Sequence, residues 1–191
     1  MSYLTKYEII DIAREVELYP IKTIDNVSNL LFKCGVNEYD KFLHDAVRLD
    51  ELDVSKTFLL IHNRTKELLA YMALSADAIK LTKDEKEIHN LSKIPYSSIP
   101  ALKIGKLAVN KNVSDIGRKK GYGSFLLEAA RRFAIQMNES GVACRFLTVD
   151  ADIEYNKDTT IFYKKNGFVE NLSNKSRNPK HTISMRKDIL V

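Results

Sequence analysis

The sequence predicts an α+β fold: a mixed, largely antiparallel sheet with one parallel strand pair at its centre and helices on its flanks. Three observations predict it. The apolar period changes from helical to strand-like after about residue 55, and two short apolar runs, TFLLIH (57–62) and LLAYMAL (68–74), then flank the polar NRTKE. Residues 101–149 read as strand, turn, helix, strand, a unit that favours parallel pairing through a right-handed crossover. With 7 Gly and 4 Pro in 191 residues, and no repeat or low-complexity tract, no long linker divides the chain, so a single domain over 1–191 is expected.

In chain order, residues 5–17 suit a helix with Ile9, Ile12, Ala13 and Val16 on one side, making 1–19 a helical N-terminal extension. EYDKFLHDAVRLD (38–50) repeats Tyr39, Phe42, Leu43, Ala46, Val47 and Leu49 as a second amphipathic helix. TFLLIH and LLAYMAL form an antiparallel hairpin. Residues 80–100 are charged and then broken by prolines, which suits a short helix and a surface loop. ALKIGKLAV (101–109) is a long strand. The best helix runs from Gly123 to about Asn138, with Leu126, Leu127, Ala130, Phe133, Ala134 and Met137 as its core stripe and Gly141 as its stop. ACRFLTV (143–149) is a buried strand, 158–165 a short helix ended by Asn166-Gly167, and HTISMRKDIL (181–190) a last strand.

Apolar content of 45% and charged content of 29% are ordinary for a water-soluble globular chain. No apolar run reaches the roughly 18 residues that span a bilayer, and the charged N-terminus lacks a signal-peptide core, so a cytoplasmic protein with no membrane partner is expected. Two cysteines, Cys34 and Cys144, are too few for a disulfide framework and form no CxxC pair. His44, His62, His89 and His181 have no metal spacing. A net charge of +5 permits anionic partners without specifying one.

The chemistry concentrates in RKKGYGS (118–124), directly ahead of the best helix. A helix start presents about four backbone amides without intrahelical partners, plus a partial positive charge. Phosphate binds such a place readily. Gly121 and Gly123 permit close backbone approach and positive φ, Arg118, Lys119 and Lys120 add field, and Ser124 adds a donor. The P-loop pattern fails for want of Gly-Lys-Ser/Thr, and the dinucleotide pattern fails because Leu126 stands where its third glycine belongs.

Arg118-Lys119-Lys120-Gly121-Tyr122-Gly123, placed between a strand and a helix, resembles the acetyl-CoA loop Q/R-x-x-G-x-G/A of the GNAT superfamily of N-acetyltransferases. Downstream, NKDTTIFYKKNGF (156–168) is similar to that family's Asn, Phe-Tyr and Gly-Phe positions: Asn156, Phe162-Tyr163 and Gly167-Phe168. The loop NKNVSDIG (110–117) is several residues longer than is usual there. The resemblance implies a GNAT-like sheet whose central parallel pair forms the cofactor cleft, with acetyl-CoA as co-substrate and no metal. It implies that the backbone of Leu107, Ala108 and Val109 pairs with the pantetheine arm. The amides of 118–124, Tyr122 included, would hold the diphosphate. Asn156 would bond the pantetheine or acetyl end, with Phe162 in the same cofactor-binding set, and Tyr163 would protonate the departing thiolate. A phenol with an ordinary pKa near 10 is matched to that task. No general base stands out; Asp150, Asp152 and Glu154, just past ACRFLTV, are candidates that also suit solvated loop or cap positions.

FKCGVNEYDKFLHDAV (32–47), followed by TFLLIH and AYMALSADAI, looks like the N-terminal half of the GNAT toxins of bacterial toxin–antitoxin systems, with Tyr39-Asp40 in place of Leu-Asp. Those enzymes acetylate the amino acid on a charged tRNA. Three functions stay open: an N-acetyltransferase with an unknown amine-bearing acceptor (small molecule, peptide or protein), a toxin acting on aminoacyl-tRNA with an antitoxin partner, and a non-catalytic CoA- or RNA-binding module. A homodimer is also open. Lys83, Lys86, Lys93, Lys103, Lys106, Lys111, Lys175, Arg177 and Lys180 are candidate tRNA contacts, or simply solvated charges.

Overall fold

The computed structural model describes residues 6–25, 27–115, 117, 121–174 and 181–191. Its elements are α1 (Lys6–Glu15), β1 (Val16–Pro20), α2 (Asn37–Glu51), β2 (Lys56–His62), β3 (Leu68–Lys80), α3 (Lys83–Ile88), β4 (Ser98–Val109), α4 (Tyr122–Glu139), β5 (Phe146–Asp152), α5 (Thr159–Lys165), β6 (Val169–Glu170) and β7 (Thr182–Asp188). The strands form a seven-stranded sheet in the order β1-β2-β3-β4-β5-β7-β6. The α+β class holds: the parallel pair β4–β5 lies amid antiparallel pairings such as β1–β2, β2–β3, β5–β7 and β6–β7. The chain divides into two compact units, 1–75 with 105–129, and 76–104 with 130–191.

In the first unit, the helix expected over 5–17 stops at Glu15, and Val16–Pro20 is an edge strand paired with β2. Val16 fits both readings, because it continues the stripe of Ile9 and Ile12 and also begins the run VELYP. Pairing of five residues with His62–Phe58 decides for the strand. The hairpin β2–β3 forms as expected, with a register shift between Leu60 and Ile61. Helix α2 buries Leu43 and Ala46 against Ile21, Leu59, Ile61, Leu68, Tyr71 and Ala108. Burying side chains of the size of Leu or Ile stabilises by roughly 1.5–3 kcal/mol each. Tyr71 is the centre of this core. Its ring lies 4.9 Å from that of Phe32 and 5.5 Å from that of Phe42, and its hydroxyl donates to the Tyr39 carbonyl at 2.8 Å.

In the second unit, β3 continues through SADAIK to Lys80, beyond the expected end at residue 74. Helix α3 opens on a capping box: the Glu85 N–H donates to Thr82 Oγ1 and the Thr82 N–H donates to Glu85 Oε2. Glu85 and Arg186 form a buried ion pair, and Glu85 Oε1 also takes the Leu172 N–H at 2.8 Å. Strand β5 begins at Phe146, not Ala143. The side chain of Asn138 accounts for this: it accepts the Cys144 N–H at 2.9 Å and donates to the Cys144 carbonyl at 2.7 Å, taking both groups a ladder needs. The parallel register runs Ala101–Ile104 against Phe146–Val149. A second cluster joins the half-buried His89 and Arg145 to the buried Asp188, whose Oδ2 lies 2.9 Å from His89 Nδ1 and 2.7 Å from Arg145 Nη2.

Candidate active site

Strand β4 continues past its parallel register as Gly105–Val109, in the first unit. Ala108 is buried, while Leu107 and Val109 are half-buried, as suits a strand end with backbone to offer. Arg118, Lys119 and Lys120 lie outside the described residues. Gly121, the residue after them, has φ +104°, a conformation that only glycine adopts without strain. Its carbonyl accepts the Phe125 N–H at 2.9 Å, the first rung of α4. The amides of Gly121, Tyr122, Gly123 and Ser124 therefore precede the helical ladder, at the positive end of an 18-residue helix. Leu126 and Leu127 are buried and fix the helix behind that end.

The long loop before this turn is held by side chains that carry no motif in the sequence. Asn110, at the end of β4, is buried. Its amide donates to the carbonyls of Leu31 (2.8 Å) and Leu68 (2.7 Å), and its oxygen accepts from Lys33 N (3.0 Å) and Asn112 N (2.9 Å). Glu67 accepts from Ser114 N (2.7 Å), Ser114 Oγ (2.6 Å) and Thr65 Oγ1 (2.7 Å). These bonds, those from Ser114 first, hold its carboxyl below the ordinary glutamate range. A Cβ on Gly117 would meet Glu67 Oε2 and Leu69 Cδ2 at 3.1 Å each, and the Gly117 carbonyl accepts the Tyr122 hydroxyl at 3.0 Å. Glu67 and Ser114 stand 47 residues apart in sequence, so no local spacing signals them.

In the second unit, α5 carries Phe162 and Tyr163. Tyr163 is 6% exposed, with its ring 5.1 Å from that of Phe162 and 5.4 Å from that of Phe168. No described residue hydrogen-bonds its hydroxyl. Burial first, and the charge of Asp152 second, push the phenol well above its ordinary value. It is therefore a neutral donor across physiological pH, and a weaker acid than the free side chain. Asn156 is exposed and turns onto its own backbone: its side-chain oxygen accepts the Asp158 N–H at 2.9 Å, and its carbonyl accepts from Thr159. Two of the three candidate bases are engaged by basic side chains: Asp150 pairs with Lys103 at 2.7 Å, and Glu154 lies 2.7 Å from His181 Nδ1. Asp152 accepts the Glu154 N–H at 3.0 Å and bears on Tyr163 through its charge.

A cleft of about 350 Å³ opens in the first unit, lined by apolar side chains including Leu30, Phe32 and Leu43 and by Asp25, Asp40 and His44. None of the residues expected to hold cofactor lines it. Among the lysines considered for tRNA, Lys86 donates to the carbonyls of Ile94 and Tyr96, and Lys103 and Lys106 pair with Asp150 and Glu38, whereas Lys83, Lys93 and Lys111 are exposed. Lys175, Arg177 and Lys180 lie outside the described residues. Burial raises both thiols, Cys34 and Cys144, which keeps them protonated and poorly nucleophilic. Among the described residues, no group of three or more His, Cys, Asp or Glu side chains is placed to hold a metal, and no helix is long and apolar enough to cross a membrane.

No sequence family and no curated protein matches this chain. Solved structures do match. A tyrosine-to-phenylalanine mutant of KacT is similar over 92% of this chain and 96% of its own, at 20% identity and a TM-score of 0.71. AtaT complexed with acetyl-methionyl-tRNAfMet matches over 88% of this chain and 94% of its own, at 20% identity and a TM-score of 0.66. AtaTR bound with AcCoA matches over 93% and 95%, at 20% identity and a TM-score of 0.65. Related structures show a mutant AtaT toxin bound to the C-terminus of the antitoxin AtaR, and a KacTA–DNA complex. At these identities the likeness speaks for architecture alone: the chain has the fold of KacT and of the toxin AtaT, a GNAT-like mixed sheet flanked by helices.

Proposed function

We propose that the chain transfers an acetyl group from acetyl-CoA to a primary amine, and that this amine is the amino group of an aminoacyl-tRNA. The observation that carries the first half is Gly121, at φ +104° between β4 and α4, which puts the amides opening α4 at the positive end of that helix, a favourable place for an anion, in a fold shared with AtaTR bound with AcCoA. In this reading those amides hold the diphosphate with Arg118, Lys119 and Lys120. The backbone of Leu107–Val109 pairs with the pantetheine arm. Asn156, whose side-chain oxygen is already used, offers its NH2 to that arm, and Phe162 packs beside it.

The chemistry balances without a metal. A neutral amine forms the C–N bond as the C–S bond breaks. Tyr163 gives its hydroxyl proton to the departing sulfur, and the proton lost by the nitrogen restores the phenol through water, with Asp152 as the carboxylate that draws it. A low-dielectric surround around Tyr163 strengthens that hydrogen bond as charge builds on sulfur.

The second half of the proposal rests on the toxin neighbours, one of them AtaT with acetyl-methionyl-tRNAfMet. The exposed Lys83, Lys93 and Lys111 suit phosphate contacts, and a proteinaceous antitoxin follows from the same likeness. The test is a panel of small amines, peptides and aminoacyl-tRNAs with labelled acetyl-CoA. Label on the amino acid of charged tRNA is expected, together with growth arrest on expression. Label on small amines alone would leave the acetyltransferase and remove the toxin. Binding of CoA with no turnover across the panel would make the chain a non-catalytic module.

A further inference from the structure

We propose that Glu67, acting through Ser114, is a positioning residue for the coenzyme A diphosphate; this rests on the reading above. All the contacts involved lie within the first unit. Glu67 stands at the foot of β3 and takes both the N–H and the hydroxyl of Ser114, at 2.7 and 2.6 Å. Thr65 donates to the same carboxylate and is itself tied to the buried His62, whose Nδ1 takes the Thr65 N–H at 3.1 Å. The Gly117 N–H reaches Ser114 Oγ at 3.4 Å, and Gly117 packs so closely that a Cβ there would crowd Glu67 Oε2 and Leu69 Cδ2 at 3.1 Å each. From the other side, the buried Tyr122 donates its hydroxyl to the Gly117 carbonyl. Tyr122 is the first residue of α4, so the clamp fixes the amides of Gly121–Ser124 in place.

The lengthened loop explains why a clamp is needed. Asn110 pins one end to the 31–33 segment and to β3, and Glu67 pins Ser114, four residues on, to the foot of β3. An anion site built from backbone amides is only as good as the backbone is fixed, because misplacement by about 1 Å costs heavily.

The sign of the effect separates this role from simple electrostatics. Glu67 is an anion beside an anion site, so charge alone predicts that Glu67→Gln tightens coenzyme A. The clamp predicts the reverse. Titration of the full chain with coenzyme A should show binding about tenfold weaker in Glu67→Gln and in Ser114→Ala, the size of a lost charge-assisted hydrogen bond. The KM for acetyl-CoA should rise by the same factor with kcat within about twofold. Ser114→Thr, which keeps the hydroxyl, should restore wild-type binding. The KM for acetyl-pantetheine, which has no diphosphate, should not move in any of these variants. Wild-type or tighter coenzyme A binding in both Glu67→Gln and Ser114→Ala overturns the inference, and so does equal weakening of acetyl-pantetheine. If the wild-type chain itself binds no coenzyme A, the functional reading fails first and the inference with it.

Discussion

Tyr163→Phe removes one oxygen from a side chain that is 6% exposed and whose hydroxyl no described residue hydrogen-bonds. That geometry separates stability from activity. Deleting a buried hydroxyl costs most when a partner is left unsatisfied, about 1–3 kcal/mol. Here no described partner is orphaned, and the ring contacts with Phe162 and Phe168 survive. The melting temperature should therefore stay the same or rise slightly. Activity should fall by about 10²–10⁴ in kcat, the usual worth of a positioned general acid, which corresponds to roughly 3–5 kcal/mol of barrier. Because burial raises the phenol, its proton is present from about pH 6 to 9, and no loss of rate in that window should trace to Tyr163. The assay is thiol release from acetyl-CoA with the best acceptor from the panel, run beside thermal melting and a titration of coenzyme A. The KM for acetyl-CoA should be nearly unchanged. A kcat within about threefold of wild type, in a variant that melts normally, would refute the acid role.

Gly121→Ala places a Cβ on a backbone at φ +104°, and such strain costs about 1–3 kcal/mol; both the melting temperature and the coenzyme A affinity should drop, and a variant that keeps both would show that the turn can relax. Glu85→Ala strands the buried Arg186 and orphans the Thr82 and Leu172 amides, so urea unfolding should register a loss of roughly 3–5 kcal/mol, while a loss below about 1 would mean the pair is solvated. The same residue gives a pH dependence. Burial pushes Glu85 up, but the Thr82 and Leu172 amides and Arg186 outweigh it and leave the carboxyl below its ordinary value. A group lowered on folding stabilises fully above its unfolded value, so that contribution is intact at neutral pH and is lost as the pH falls below about 4.5. Glu85→Ala should accordingly flatten the acid limb of the stability profile, and an unchanged limb would assign it to other carboxylates.

Legibility in the sequence followed the range of the interactions. Helix α4 was readable because Leu126, Leu127, Ala130 and Ala134 repeat at helical spacing and all are buried. The parallel pair followed from one strand–helix–strand unit, which sterics allow to close in few ways. Strand β1 was hidden because Val16 continues the helical stripe of Ile9 and Ile12, and only pairing with the distant β2 overrides it. The far half of β3 was hidden because SADAIK is small and polar; it is half-buried by alternation, and Asp77 is held by Thr148 from β5. The capping box at Thr82 and Glu85 does have a local signal, the spacing Thr-x-x-Glu, which marks the start of α3. At the candidate site, Gly121 announced itself as a glycine before a helix, and its positive φ agrees. Asn156 serves the local turn that its residue type also suggested, while leaving an NH2 to offer. Glu67, Ser114 and Asn110 could not be read locally, because each works on a segment distant in sequence and only the fold brings donor and acceptor together.

The central claim is that the amides opening α4 grip the diphosphate of coenzyme A, and amide NMR of the labelled chain tests it most directly. Addition of coenzyme A should shift and protect the signals of Gly121 to Ser124, whereas pantetheine, which lacks the diphosphate, should leave them in place. Saturable binding of coenzyme A with those amides unmoved would contradict the account.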